Sequence, residues 1–110
     1  MIIDFNDIEE TRIKGFKGGQ GELLTRNYVD EKVRIMKSIL RPGASSGPHT
    51  HEGNCEIMYI LKGELTYHYD GKTEVARAGQ VHYCPTTHRH YFENLTAEDV
   101  EYLAIVPEHH

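Results

Sequence analysis

The stretch Gly47-Pro-His-Thr-His-Glu-Gly-Asn-Cys-Glu56 carries two histidines and two glutamates. His49 and His51 are two residues apart, so in an extended chain both imidazoles leave the same face. Two rings aimed the same way can hold one ion. Glu56 opens the following apolar run and supplies an oxygen; His90 opens a later run and supplies a third nitrogen. Neutral imidazoles with one carboxylate suit divalent first-row metals (Mn, Fe, Ni, Cu or Zn), whereas Mg²⁺ and Ca²⁺ favour oxygen ligands. An octahedral ion held by His49, His51, Glu56 and His90 keeps two positions open for water or substrate. Glu52 is adjacent to His51, faces the other way in an extended chain, and is read as solvated.

The remaining chemistry-bearing residues are less sharply placed. Of the eight histidines, His109 and His110 close the chain, match the start of a purification tag, and are set aside. His88 lies two residues before His90 and is either a donor into the site or a loop residue displayed at its mouth. His82 and Cys84 share one face of their run, Val81 and Tyr83 the other, and the pattern does not say which pair points inward. The candidates for proton transfer are therefore His88 and Tyr83, with Tyr91 a lesser one. His68 shares a face with Thr66, opposite Leu65, Tyr67 and Tyr69, and is read as a surface residue. Cys55 and Cys84 are too few for a disulfide framework and are read as small reduced apolar residues. Gly43-Ala-Ser-Ser-Gly47 fits the G-x-S-x-G pattern of a nucleophile elbow. That turn requires a helix after it, and Pro48 with an extended histidine pair follows instead.

Strands must position these groups. Helical signals are weak, the best being a short turn over Asp4–Glu10, and Gly15–Gly21 reads as a flexible loop without the Lys-Ser/Thr of a phosphate-binding loop. Lys32–Leu40 alternates and stops at Arg41-Pro-Gly43. Glu56–Leu61 is apolar on both faces, as in a central strand. Glu64–Tyr69 alternates up to Asp70-Gly71, a two-residue hairpin signal, and Thr73–Ala76 returns from it. Gln80–Cys84, Arg89–Glu93 and Val100–Val106 complete a set of short strands spaced by turn residues, which predicts an antiparallel sandwich or barrel. No linker or composition break divides the chain, so residues 1–110 read as one domain.

With these residues in place, the chain resembles the cupins. Their first motif, G-x5-H-x-H-x(3–4)-E-x6-G, reads here Gly43-ASSGP-His49-Thr-His51-EGNC-Glu56-IMYILK-Gly63, over residues 43–63. The second, G-x5-P-x-G-x2-H-x3-N, reads Gly79-QVHYC-Pro85-Thr-Thr87-His-Arg-His90-YFE-Asn94, over residues 79–94. Thr87 stands where the family has Gly, which tolerates a positive φ that Thr does not favour. The resemblance implies an all-β, cupin-type antiparallel sandwich or barrel (a double-stranded β-helix, jelly-roll-like). It also implies convergence of His49, His51, Glu56 and His90 on an interior metal, and a homodimer paired through its sheets. Dioxygenases, decarboxylases, isomerases and ligand-sensing modules share this fold, so fold alone does not fix the reaction.

Composition narrows the partners. A net charge of −5 without a basic run argues against nucleic acid, and no apolar stretch approaches a membrane helix. The N-terminus, MIIDFNDIEE, lacks a secretory signal pattern, so a cytoplasmic location is expected. A divalent ion beside one carboxylate favours a small anionic ligand such as a carboxylate or enolate. The expected function is a metal-dependent enzyme of dioxygenase, decarboxylase or isomerase type. The alternative is a module that binds or senses a small ligand without turning it over.

Overall fold

The computed structural model describes residues 1–109; His110, one of the two terminal histidines set aside above, lies outside the described residues. Among the described residues, ten strands form two antiparallel sheets. They are β1 (Thr11–Lys14), β2 (Glu22–Val29), β3 (Val33–Leu40), β4 (His49–Thr50), β5 (Glu56–Lys62), β6 (Glu64–Tyr69), β7 (Lys72–Arg77), β8 (Val81–Cys84), β9 (Arg89–Glu93) and β10 (Val100–Pro107). The larger sheet runs β1-β2-β3-β10-β5-β8 and the smaller β4-β9-β6-β7. The all-β sandwich expected from the alternating patterns is the fold observed.

Period-two alternation fills the space between the sheets. Leu40, Met58, Ile60, Leu65, Tyr67, Phe92, Val100, Tyr102 and Ala104 form the core. At Asp70-Gly71 both residues have positive φ (49° and 74°), as a type I′ hairpin requires. The short N-terminal turn is a 3₁₀ segment, Phe5–Asp7, capped by the Asp4 side chain, which accepts from the Asn6 N–H at 2.9 Å. The two motif ends meet in space. Gly43 donates its N–H to the Asn94 carbonyl at 2.9 Å, and the buried Asn94 side chain donates to the carbonyls of Leu40 and Glu98.

Three features depart from the sequence reading. β1 and β2 were not anticipated: β1 is only four residues long, and in β2 Leu23, Leu24 and Thr25 are buried consecutively and break the alternation. The outer face of β2 is covered by the N-terminal segment, which Arg26 straps down by donating to the carbonyls of Phe5 and Ile8. β5 lies between β10 and β8, yet its outward face is not covered: Tyr59 and Leu61 are 40% and 42% exposed. The Gly15–Gly21 segment is packed, not loose. A Cβ at Gly19 would stand 2.1 Å from the Ser45 carbonyl oxygen, and one at Gly47 would stand 1.8 Å from that of Lys17. These glycines permit close backbone approach, and the loop is thereby seated against the segment that leads to His49.

Candidate metal centre

β4 is only two residues long, and its register with β9 sets His49 opposite His90. Directly paired residues share a face, so both rings enter the space between the sheets. Beyond β4, His51 donates its N–H to the His88 carbonyl at 3.1 Å and accepts the Thr87 N–H on its own carbonyl. Gly53, at φ 71°, then turns the chain so that Glu56 can open β5 facing the same space.

The four side chains converge. His90 Nε2 lies 2.9 Å from His49 Nε2, 3.1 Å from His51 Nε2 and 2.9 Å from Glu56 Oε1. Glu56 Oε1 lies 3.2 Å from His51 Nε2 and 3.9 Å from His49 Nε2. His51, Glu56 and His90 are buried and His49 is partly so.

The tautomers follow from the neighbours. His49 Nδ1 faces the Gly47 carbonyl at 2.8 Å, so Nδ1 carries the proton and Nε2 presents a lone pair. His51 Nδ1 faces Asn54 Oδ1 at 2.9 Å, and Asn54 in turn donates from Nδ2 towards Glu108. That orients the Asn54 amide and again leaves Nε2 as an acceptor. Lone pairs aimed at one another do not bond, and Glu56 Oε1 has no hydrogen bond although it is buried. A cation among them would satisfy all four. Bonds of about 2.1 Å place neighbouring ligand atoms about 3 Å apart, in keeping with the 2.9–3.2 Å separations. The residues therefore fit a divalent metal.

Electrostatics agree with this arrangement. Burial opposes ionisation of Glu56, but positive charge or N–H donation from the side of His49, His51 and His90 outweighs it and holds the carboxyl well below its usual range, and a cation among the four would act in the same direction. Burial lowers the pKa of His90, against the pull of Glu56, which favours the neutral ring a ligand requires. Burial also pushes the Cys84 thiol up to about 12, so it stays protonated, and Cys55 is raised for the same reason. Both cysteines are buried and unpaired.

The other candidates separate cleanly. Tyr83 is 54% exposed on the outer face of β8, opposite in parity to the buried His82 and Cys84. Its side chain is therefore directed away from the cluster. Tyr91 is likewise directed outward, stacked on His68 with ring centroids 4.2 Å apart. His68, on the same outer face, bonds Glu93 at 2.7 Å. His88 takes the loop alternative: its ring meets Asp70 at 2.8 Å and the Tyr69 hydroxyl at 3.3 Å, and none of the four cluster residues. Glu52 is exposed, as expected.

Two groups escaped the sequence reading. Asn54 looked like a turn residue, although its place three residues after His51 puts its amide within reach of that ring. His82 lies buried behind His90, its ring stacked on Tyr67 at 3.8 Å and 3°. Only the inward parity of Cys84 could have indicated this. Above the cluster opens a cleft of about 350 Å³ whose lining includes His49, His51, Glu56, Asn27, Arg34 and Lys17.

The comparisons with known proteins agree with the geometry. The oxalate-binding protein of Thermotoga maritima is 37% identical over 96% of this chain and 93% of its own length. Polyketide synthase CurC of Streptomyces cyaneus is 33% identical over 89% of this chain, which spans 63% of that relative. The crystal structure of a predicted oxalate decarboxylase from Thermotoga maritima superposes with a TM-score of 0.90 at 34% identity, covering 98% of this chain and 99% of that one. A cupin domain model matches residues 36–106. The two-sheet fold, the buried cluster of three histidines and a glutamate, and these relatives together place the chain in the cupin family.

Proposed function

We propose that this cupin is a metal-dependent enzyme in which His49, His51, Glu56 and His90 hold one divalent transition-metal ion and a small anionic or enediol-type acid binds beside them. The observation that carries this reading is the convergence of three imidazole nitrogens and one buried carboxylate oxygen within 4.8 Å of one another. When bound, a redox-active ion would supply dioxygenase or oxidative decarboxylase chemistry, and a Lewis-acidic ion would polarise a carbonyl for isomerisation. The protein's own groups prepare the site. Gly47 and Asn54 fix the tautomers of His49 and His51, Glu56 stays ionised, and the cleft gives a ligand access to the cluster. The Thermotoga relatives, one named for binding oxalate and one described as a predicted oxalate decarboxylase, support an oxalate-like acid as the ligand.

A second reading, a module that binds the acid without converting it, is favoured by one observation: neither His88 nor Tyr83 reaches the cluster. We further read residues 1–110 as one domain acting as a cytoplasmic homodimer. The exposed Tyr59, Leu61, Val81 and Tyr83 on adjacent strands β5 and β8 support pairing through the larger sheet. Two free, buried thiols accord with a reducing compartment. No described helix is long and apolar enough to cross a membrane.

The test is elemental analysis of tag-free protein purified without chelator, followed by a screen of oxalate, enediols and keto-sugars with the Mn, Fe, Ni and Zn forms. About one equivalent of transition metal and product from at least one acid is the expected result. Saturable binding without turnover in every form selects the second reading. Metal-free wild type, indistinguishable from His49→Ala, removes both.

A further inference from the structure

The inward-facing row of β3 runs Leu40, Ser38, Met36, Arg34. Leu40 and Ser38 are buried, Met36 packs against the core, and Arg34 stands exposed at the open end. Parity thus points Arg34 into the cleft that has His49, His51 and Glu56 among its lining residues. Arg12, Arg26, Arg41 and Arg77 each pair with a carboxylate, whereas Arg34 and Arg89 have no ion pair among the described residues, and of these two only Arg34 lines this cleft. Lys17 lines the same cleft and is also without an ion pair there; its ammonium lies 5.5 Å from the Phe16 ring centroid.

Lys17 is held where it is by the backbone. It adopts a left-handed conformation (φ 51°) that a non-glycine residue seldom takes, and its carbonyl is wedged against Gly47. The Gly47 carbonyl is the group that receives the His49 ring proton. The position of Lys17 is therefore tied to the floor of the cleft. Glu52, the other carboxylate besides Glu56 that lines the cleft, is exposed and pairs with neither cation. In a chain of net charge −5, Lys17 and Arg34 offset Glu52 and Glu56 on the cleft lining and make it locally neutral, with both cations unpaired.

We propose that Arg34 and Lys17 form an anion clamp at the mouth of the cleft, selecting small dicarboxylic acids whose far carboxylate they bind while the near one meets the cluster. The clamp rests on the reading of the cluster as a metal centre. The guanidinium supplies a two-pronged donor matched to a carboxylate, and the lysine supplies a second charge without fixed geometry. In oxalate the carboxylates are joined directly, so the acids that gain most from the clamp are the longer malonate and succinate.

The experiment is calorimetric titration of malonate, succinate, oxalate and acetate into wild type, Arg34→Gln and Lys17→Gln, with metal content measured on each sample. Wild type is expected to bind malonate or succinate more tightly than acetate. Arg34→Gln should weaken that binding by about ten- to a hundredfold, the range for losing a charged hydrogen-bond partner. Lys17→Gln should weaken it less, while acetate affinity stays within about twofold and metal content is unchanged. Diacid affinity unaltered in both variants, equal loss for acetate and diacid, or no preference of wild type for diacids would overturn the clamp with the metal reading intact. Wild type that carries no metal would remove the metal reading, and the clamp with it.

Discussion

Thr87 donates its backbone N–H to the His51 carbonyl at 2.6 Å, and it does so with a left-handed backbone, φ 72°. The position where the family pattern has glycine thus keeps the glycine conformation although a β-branched residue occupies it. The turn is over-determined: the Thr86 hydroxyl also donates to the His51 carbonyl, and His51 N–H bonds the His88 carbonyl in return. Strain in a residue beside a candidate site persists because its neighbours leave it no alternative.

Replacing Thr87 with glycine should therefore stabilise the protein. Relief of the left-handed strain, about 1–2 kcal/mol, exceeds the extra chain entropy glycine carries when unfolded, about 0.5–1 kcal/mol. A rise in the urea midpoint with unchanged slope is the expected outcome, and a fall would show that the Thr87 side chain makes contacts worth more than its strain.

Asn54 holds the His51 ring, so Asn54→Ala should leave the fold intact but loosen the ligand. Removing such a partner typically lowers metal affinity by about ten- to a hundredfold. Competition against a chelator measures this directly; an affinity equal to wild type would mean that the Asn54 bond does not set the tautomer.

His82 predicts acid sensitivity. Burial, reinforced by His90 and opposed by Glu56, brings its pKa down from 6.5 to about 4. Both ring nitrogens are buried without a hydrogen bond, and the Glu74 carboxylate lies 3.9 Å from Nε2. A histidine whose folded pKa is depressed stabilises the fold above pH 6.5, and that stability is lost as pH falls towards 4, because only the unfolded chain takes the proton. In chelator-treated protein, wild type should lose roughly 1 kcal/mol per pH unit more than His82→Phe between pH 6.5 and 4. Parallel curves would show that His82 titrates alike in both states.

Tyr83→Glu tests the assembly. A charge placed among Tyr59, Leu61 and Val81 on the outer face should convert a dimer of the 12.6 kDa chain to monomer in light scattering. Metal content should not change, since Glu56 and Ile57, the latter paired with Tyr83, point to opposite faces of β5. A wild-type monomer would remove the dimer.

The sequence made the site easier to read than the scaffold around it. Histidines two apart in an extended run, with Glu56 and His90 at strand starts, declare their facing through parity alone. Strands β6 and β9 were legible to their ends because each buries one face and wets the other. β2 was hidden because the N-terminal segment covers its second face and erases the alternation. The glycines at 15–21 looked like freedom, whereas Gly19 shows that their role is proximity; composition cannot distinguish the two. The outward direction of Tyr83 was undecidable until the register of β8 against β5 was known, since one residue of slip exchanges the faces.

The cupin match begins at Met36, yet Phe16, Lys17, Asn27, Val29 and Arg34 on the cleft wall all precede it. Part of the cleft wall therefore comes from a different stretch of chain than the four converging side chains, with Met36, Thr50, Glu52, Asn54 and Val106 completing the lining. Exchange of residues 22–34 would redraw that part of the wall and leave the four cluster residues in place, whereas Lys17 and Gly19 press on Gly47 and Ser45 and so belong to the approach to His49. One wall of the cleft can be edited without editing the residues beneath it.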